Sequence, residues 1–108
     1  MDVAVDKTIV GSDVPNLAWL RSRRVEILRA AKGHGASNVR VFGSVARGTA
    51  ERESDVDLLV DFEAGRTLAD HVALWRDLEA LLGRHVDVLS AGGLTSRDDD
   101  IRAEAVAL

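Results

Sequence analysis

One stretch of this sequence predicts a strand with one buried face and two carboxylates on the other. Between Asp55 and Phe62, apolar residues occupy every second position: Val56, Leu58, Val60 and Phe62. Because residues two apart in a strand point to the same side of a sheet, these four side chains predict one core-facing surface. Asp55 and Asp57 are therefore expected to project together from the opposite face.

The last predicted strand carries one aspartate in the same arrangement. Val86 and Val88 suit the core, so Asp87 between them is expected to point away from it. If the two strands are neighbours, Asp55, Asp57 and Asp87 converge, and their repulsion raises at least one pKa unless a cation lies among them. All-oxygen ligation favours Mg²⁺ or Mn²⁺ over zinc. Two such ions bridged by shared carboxylates form the clamp used in phosphoryl and nucleotidyl transfer.

The Asp-x-Asp spacing is weak evidence when taken alone. A chain of this composition is expected to contain about one such spacing by chance, and Asp98-Asp99-Asp100 contains another. No strand pattern surrounds the latter run, which is typical of a solvated helix start. Asp55 and Asp57 differ because their apolar neighbours fix their direction, although an ordinary exposed sheet face remains the alternative.

The rest of the chain predicts the order helix, strand, strand, helix, strand, helix. Residues 1–15 are interpreted as an irregular N-terminal segment and residues 16–108 as one domain. The helices are expected at 16–33, at 67–82 and around Ile101, Ala105 and Leu108, and the strands at 38–42, 55–62 and 85–89. The first helix is expected to bury Leu17, Leu20, Ile27, Leu28 and Ala31. The second helix is expected to begin with a Thr67–Asp70 capping box and to bury Leu68, Val72, Trp75, Leu78 and Leu82. Trp19 is also assigned to the core.

A glycine turn directly follows the first predicted strand. Gly43 lets an anion approach the backbone, Ser44 offers a hydroxyl and can cap the following helical turn, and the exposed N–H groups of such a turn bind phosphate oxygens. Arg47 lies on the same helical face as Ser44. A plain strand-to-helix turn with a surface arginine is the alternative. An ordinary P-loop is excluded because Thr49 and Ala50 stand where that motif needs its lysine and hydroxyl.

Composition narrows the classes of function. The chain has 108 residues, no cysteine, and 14 basic against 18 acidic side chains. These counts exclude disulfides and thiolate sites, and the acidic balance argues against nucleic acid, whose binding depends on Lys and Arg. No apolar run is long enough to span a membrane, and the N-terminus lacks the pattern of a signal peptide, so a cytoplasmic protein is expected.

These motifs together resemble those of the nucleotidyltransferases related to DNA polymerase β, and most closely the minimal nucleotidyltransferases. The resemblance covers roughly residues 17–106 and is carried by three segments: 41–48 with Gly43-Ser44, 54–60 with Asp55 and Asp57, and 86–88 with Asp87. It implies an α/β (α+β) fold with a small mixed β-sheet flanked by helices. It also implies that Gly43 and Ser44 hold a nucleotide triphosphate, that Asp55, Asp57 and Asp87 are the catalytic and metal-binding carboxylates, and that Arg47 and Ser54 support the nucleotide.

The resemblance further implies an activity and a partner. Members of this group transfer AMP from ATP to a tyrosine of a HEPN-domain toxin and so act as its antitoxin, with Mg²⁺, in two ions, or Mn²⁺ as cofactor. Two other functions stay open: an antitoxin that only masks its toxin, and a small-molecule nucleotidyltransferase. Because the domain is small, a partner protein is expected to supply the acceptor.

Overall fold

The computed structural model describes residues 14–108. Most of the irregular segment expected at residues 1–15 therefore lies outside the described residues, and of it only Val14, which is exposed, and Pro15, which is buried, are placed. Across residues 14–108, no helix is both long enough and apolar enough to cross a membrane.

The first predicted helix is in fact two helices, α1 (Leu17–Ser22) and α2 (Arg24–Gly33). The Asn16 side chain caps α1 by accepting a hydrogen bond from the Trp19 N–H at 2.8 Å. A single continuous helix was wrong because Arg23, with φ −106° and ψ 14°, leaves the helical conformation. Its guanidinium donates to Glu26 and to the Leu81 carbonyl, which fixes the break against the rest of the fold.

Two antiparallel strands hold the glycine turn between them in the chain. Strand β1 (Ala36–Phe42) runs into the short helix α3 (Gly43–Arg47), and β2 (Val56–Phe62) returns antiparallel to β1. Val45 of α3 is almost fully buried in the core, which anchors this single turn of helix to the sheet. The predicted core face of β2 is confirmed for Val56, Leu58 and Val60, which are fully buried, while Phe62 is half-buried.

Helix α4 (Leu68–Leu82) begins with the predicted capping box, in which the Asp70 carboxylate accepts from the Thr67 N–H at 2.9 Å. The predicted buried stripe was wrong at its first half, since Leu68 is 76% exposed and Trp75 is 38% exposed. The helix is rotated so that residues four apart face the core instead: Leu74, Leu78 and Leu82. Trp19 does pack against the core, with the Arg84 guanidinium over its ring.

The C-terminal part of the chain differs from the single helix that was predicted. After β3 (Val86–Ser90) come 3₁₀ turns at Ala91–Gly93 and Ser96–Asp98, and then α5 (Asp99–Glu104). The helix stops there because Ala105 is extended, and β4 (Val106–Ala107) pairs antiparallel with β1. Leu108 is therefore not helical; its N–H donates to the Val39 carbonyl and its side chain is buried.

The four strands form one mixed sheet in the order β3-β2-β1-β4, with β2 and β3 parallel. Helices α2 and α4 pack against one face of this sheet and against each other. The chain after β3 crosses the other face, since Ala91–Gly93 contacts β2 and α5 contacts β1 and α3. Leu59 is fully buried on that second face, between the positions of two aspartates. The small mixed sheet flanked by helices is confirmed.

Candidate active site

Two of the three predicted carboxylates meet at the end of the sheet nearest α3. Strands β2 and β3 are neighbours, and Asp57 and Asp87 are direct partners in their parallel register. Burial and the adjacent Asp87 carboxyl raise the pKa of Asp57 from 3.8 to about 6. Asp55 adds a smaller repulsion in the same direction, and Arg47 opposes it. The expectation that crowding raises at least one of these pKa values is confirmed.

Asp55 lies just before β2 and is exposed, as is Asp87, whereas Asp57 is half-buried. Across residues 14–108, no three side chains of the His, Cys, Asp and Glu types converge closely enough to hold a metal ion by themselves. The close Asp57–Asp87 pair nevertheless fits Mg²⁺ or Mn²⁺, because such ions bind through one or two carboxylates and leave the remaining positions to phosphate oxygens and water. A cation between these two groups also relieves their repulsion.

Gly43 is required at its position by both its backbone and its surroundings. Its φ of +74° lies in the left-handed region, which residues with a side chain rarely adopt. A Cβ at Gly43 would collide with the Oδ2 atom of Asp57. In the register of the sheet, Asp57 also lies opposite Phe42, the residue before this glycine. The glycine turn and the carboxylate pair are therefore in direct contact.

Ser44 is the second residue of α3, and the prediction that it caps this helix was wrong. The N-cap position belongs to Phe42, which has no side-chain hydrogen bond to the helix. The reason is that Gly43 already begins the helix, directly after the strand. Among the described residues, the Ser44 hydroxyl has no hydrogen-bond partner and is half-buried beside Gly43.

Arg47, at the end of α3, binds a residue that was not predicted from the sequence. Its Nη1 atom lies 2.9 Å from Oε1 and 3.2 Å from Oε2 of Glu104, the last residue of α5. Oε2 of the same carboxylate accepts the Gly43 N–H at 2.8 Å. These donors hold the pKa of Glu104 below its usual value, the Gly43 N–H having the largest effect. No local signal predicts this contact, because 61 residues separate Gly43 from Glu104.

Ser54 lies in the loop before β2, and its hydrogen bonds stabilise that loop. Its hydroxyl accepts the Glu51 N–H at 2.8 Å, and its carbonyl accepts a hydrogen bond from Arg84 at 3.0 Å. A cavity of about 460 Å³ lies elsewhere, beside residues 35–39 and 61–63, and none of the predicted site residues lines it. The nucleotide role expected for Ser54 stays a prediction.

Comparison with known proteins gives a consistent result. Residues 22–106 match the family model described as the nucleotidyltransferase domain. The chain is 47% identical over 62 residues to the protein adenylyltransferase MntA of Thermococcus cleftensis, a match that covers 57% of this chain and 63% of that protein. The chain thus spans about three fifths of the length of these curated relatives.

Solved structures agree with this result. One, described as a candidate minimal nucleotidyltransferase, superposes with a TM-score of 0.76 at 52% identity, covering 86% of this chain and 96% of that one. Another, a toxin–antitoxin with AMP-PNP, has a TM-score of 0.66 at 20% identity over 80% of this chain and 69% of that one, and shows the shared fold. The resemblance to the minimal nucleotidyltransferases is confirmed, and the chain belongs to the nucleotidyltransferase domain family.

Proposed function

We propose that this chain is a divalent-metal-dependent nucleotidyltransferase that transfers AMP from ATP to a tyrosine of a partner HEPN-domain toxin, and so acts as an antitoxin. The observation that carries the proposal is the contact between the Asp57–Asp87 pair and the Gly43 turn. This contact places oxygen ligands for a cation directly beside backbone and guanidinium groups that suit phosphate. Sites with a strongly raised carboxylate pKa are also concentrated where chemistry occurs.

The groups of α3 are suited to holding the triphosphate. The Gly43 N–H, the Ser44 hydroxyl and the Arg47 guanidinium all lie on one turn of helix, and Val45 fixes that turn in the core. Because α3 is anchored, these donors need little rearrangement when they meet phosphate oxygens. A bound divalent ion would neutralise the charge that develops on the attacking and leaving oxygens.

The reaction is an in-line displacement at the α-phosphorus of ATP. A bond forms between the tyrosine oxygen and the α-phosphorus, the bond to the oxygen bridging the α- and β-phosphates breaks, and pyrophosphate leaves. Asp87 accepts the tyrosine proton as a general base, because it is exposed and adjoins Asp57. Asp55 and Asp57 would hold the divalent ion through their carboxylate oxygens.

Three observations support a protein acceptor. Asp55 and Asp87 are both exposed, so a side chain on another protein can reach them. Two of the comparison proteins are, by their own descriptions, a protein adenylyltransferase and a toxin–antitoxin with AMP-PNP. The net charge of −4 agrees with a protein partner better than with a nucleic acid.

The test is a transfer assay with the protein encoded in the neighbouring reading frame. That protein is incubated with this chain, Mg²⁺ and ATP labelled at either the α- or the γ-phosphate, and is then weighed by mass spectrometry. The proposal expects a gain of one or more AMP masses and incorporation of the α label alone. Tight binding without a mass change would instead identify a masking antitoxin, and a label on a small molecule would identify a different acceptor class.

A further inference from the structure

The Glu104 carboxylate occupies the groups that the proposed function assigns to the triphosphate. Its two oxygens bind the Gly43 N–H at 2.8 Å and the Arg47 guanidinium at 2.9 Å. These donors, a backbone N–H at the start of a helix and an arginine fork, are the ones that proteins use for phosphate oxygens. We propose that Glu104 is an internal competitor for the nucleotide: it closes the anion site when the site is empty and must turn away before ATP binds.

Sterics and charge both make the two states exclusive. The Gly43 N–H and Arg47 Nη1 are each directed at a Glu104 oxygen, so a phosphate oxygen cannot take the same position. A carboxylate left in place would also lie against a triphosphate of the same sign. The lowered pKa of Glu104 shows that the closed arrangement favours its charged form.

The structure limits the movement to a side chain. Glu104 is the last residue of α5, and the chain after it is held to β1 by the register pairs of β4 and by the Leu108 N–H on Val39. The Glu104 side chain is 28% exposed, so rotation about its own bonds can carry the carboxylate into water. Opening then needs no unfolding of α5 or β4.

Competition by Glu104 changes the apparent Kd for ATP by an amount that can be measured. The apparent Kd of a ligand equals its intrinsic Kd divided by the fraction of molecules in the binding-competent state, so a site closed about nine tenths of the time weakens binding about tenfold. Removing the carboxylate should therefore tighten ATP binding, whereas a residue that merely positions Arg47 would weaken it when lost. Removing the Glu104 carboxylate therefore lowers the Kd for ATP in the first role and raises it in the second.

The experiment is calorimetric titration of ATP with Mg²⁺, without acceptor protein, into the wild type, Glu104→Ala and Glu104→Gln. The expected result is an ATP Kd lowered about tenfold in Glu104→Ala and lowered in the same direction in Glu104→Gln. Asp100→Asn is the matched control: it removes the same charge from the same helix at an exposed position and should leave the Kd within about twofold. Inorganic tripolyphosphate should reproduce the effect, because it contains only the anionic part of the ligand.

The outcomes separate this inference from the proposed function on which it rests. If the wild type binds ATP and both Glu104 variants bind it equally or more weakly, the competition is overturned while the nucleotide site stands. An equal gain in Asp100→Asn would also overturn it, because net charge would then be the cause. If neither the wild type nor any variant binds ATP or tripolyphosphate, the proposed nucleotide site itself is wrong and the competition falls with it.

Discussion

Asp57 of β2 and Asp87 of β3 are direct register partners on parallel strands, which places a second acidic side chain beside the half-buried Asp57. Burial of Asp57 and the charge of the adjacent Asp87 raise the pKa of Asp57 to about 6. Above this pKa, Asp57 is negatively charged while half-buried beside a second acidic side chain. Repulsion between these two carboxyl groups lowers the stability of the fold, and a bound cation would relieve it.

Replacing the half-buried carboxylate of this pair should abolish catalysis. Asp57→Asn keeps the shape of the side chain and the ability to bond Asp87, but loses the charge that a divalent ion requires. AMP transfer to the partner should fall by at least about a hundredfold, since charge stabilisation of this kind supplies several kcal/mol. The readout is the mass of the partner protein, with circular dichroism as the check on folding.

Asp61→Asn is the matched control for that variant. Asp61 lies on the same strand and the same face as Asp57, but it pairs with Arg40 and Asn38 rather than with another acid. Its loss should change the transfer rate by less than about threefold, because the ion pair is partly exposed and contributes little. An equal loss of transfer in both variants, or a normal rate in Asp57→Asn, would remove the basis for the site assignment.

The same pair predicts an unusual dependence of stability on pH. The folded-state pKa of Asp57, about 6, is above its unfolded value of 3.8, so the folded state binds the extra proton between these values and stability falls as pH rises through that window. In EDTA at pH 7, Asp57→Asn should be more stable than the wild type. A pKa raised from 3.8 to about 6 corresponds to about 3 kcal/mol for a fully buried group, and solvent screening reduces this to about 1 kcal/mol at this half-exposed site.

Urea unfolding of both proteins from pH 4 to pH 7 measures this effect, and taking the difference between them cancels the other titrating groups. The stability advantage of Asp57→Asn should shrink towards zero near pH 4. Adding Mg²⁺ at pH 7 should also narrow it, because the ion stabilises only the wild-type pair. A constant difference across the pH range would show that Asp57 does not titrate as described.

Alanine variants of two glycines with the same backbone conformation distinguish an effect of backbone strain from an effect on the catalytic carboxylates. Gly43 and Gly48 both have φ near +75°, but a Cβ at Gly43 meets the Asp57 carboxylate whereas a Cβ at Gly48 has open space around it. Alanine at either position should lower the free energy of unfolding by about 1–2 kcal/mol. Only Gly43→Ala should also abolish transfer, because Asp57 must move away. Loss of transfer in Gly48→Ala would point to backbone strain as the cause.

Features of this chain that depend on a local residue pattern could be predicted from the sequence. The convergence of Asp57 and Asp87 follows from two-residue alternation within each strand and needs only that the strands be neighbours. Contacts between distant segments left no such pattern. Glu104 reaches Gly43 across 61 residues, and β4 has only two residues, too few to show any alternation.

Helix α4 shows a different limit, since its leucines allow two overlapping stripes. One stripe contains Leu68 and Trp75, and the other contains Leu74, Leu78 and Leu82. In the structure the second stripe packs into the core, and Trp75 is 38% exposed. A rotation of a helix about its axis is set by tertiary packing, which local periodicity alone does not fix.

Two leucines of α4 therefore test that rotation directly. Leu78 is 1% exposed within the core, so Leu78→Ala should lower the free energy of unfolding by about 2–5 kcal/mol through lost burial and the cavity left behind. Leu68 is 76% exposed at the first residue of the helix, and Leu68→Ala should change it by less than about 0.5 kcal/mol. Urea unfolding measures both. If the two losses were equal, α4 would instead present the stripe that contains Leu68 to the sheet.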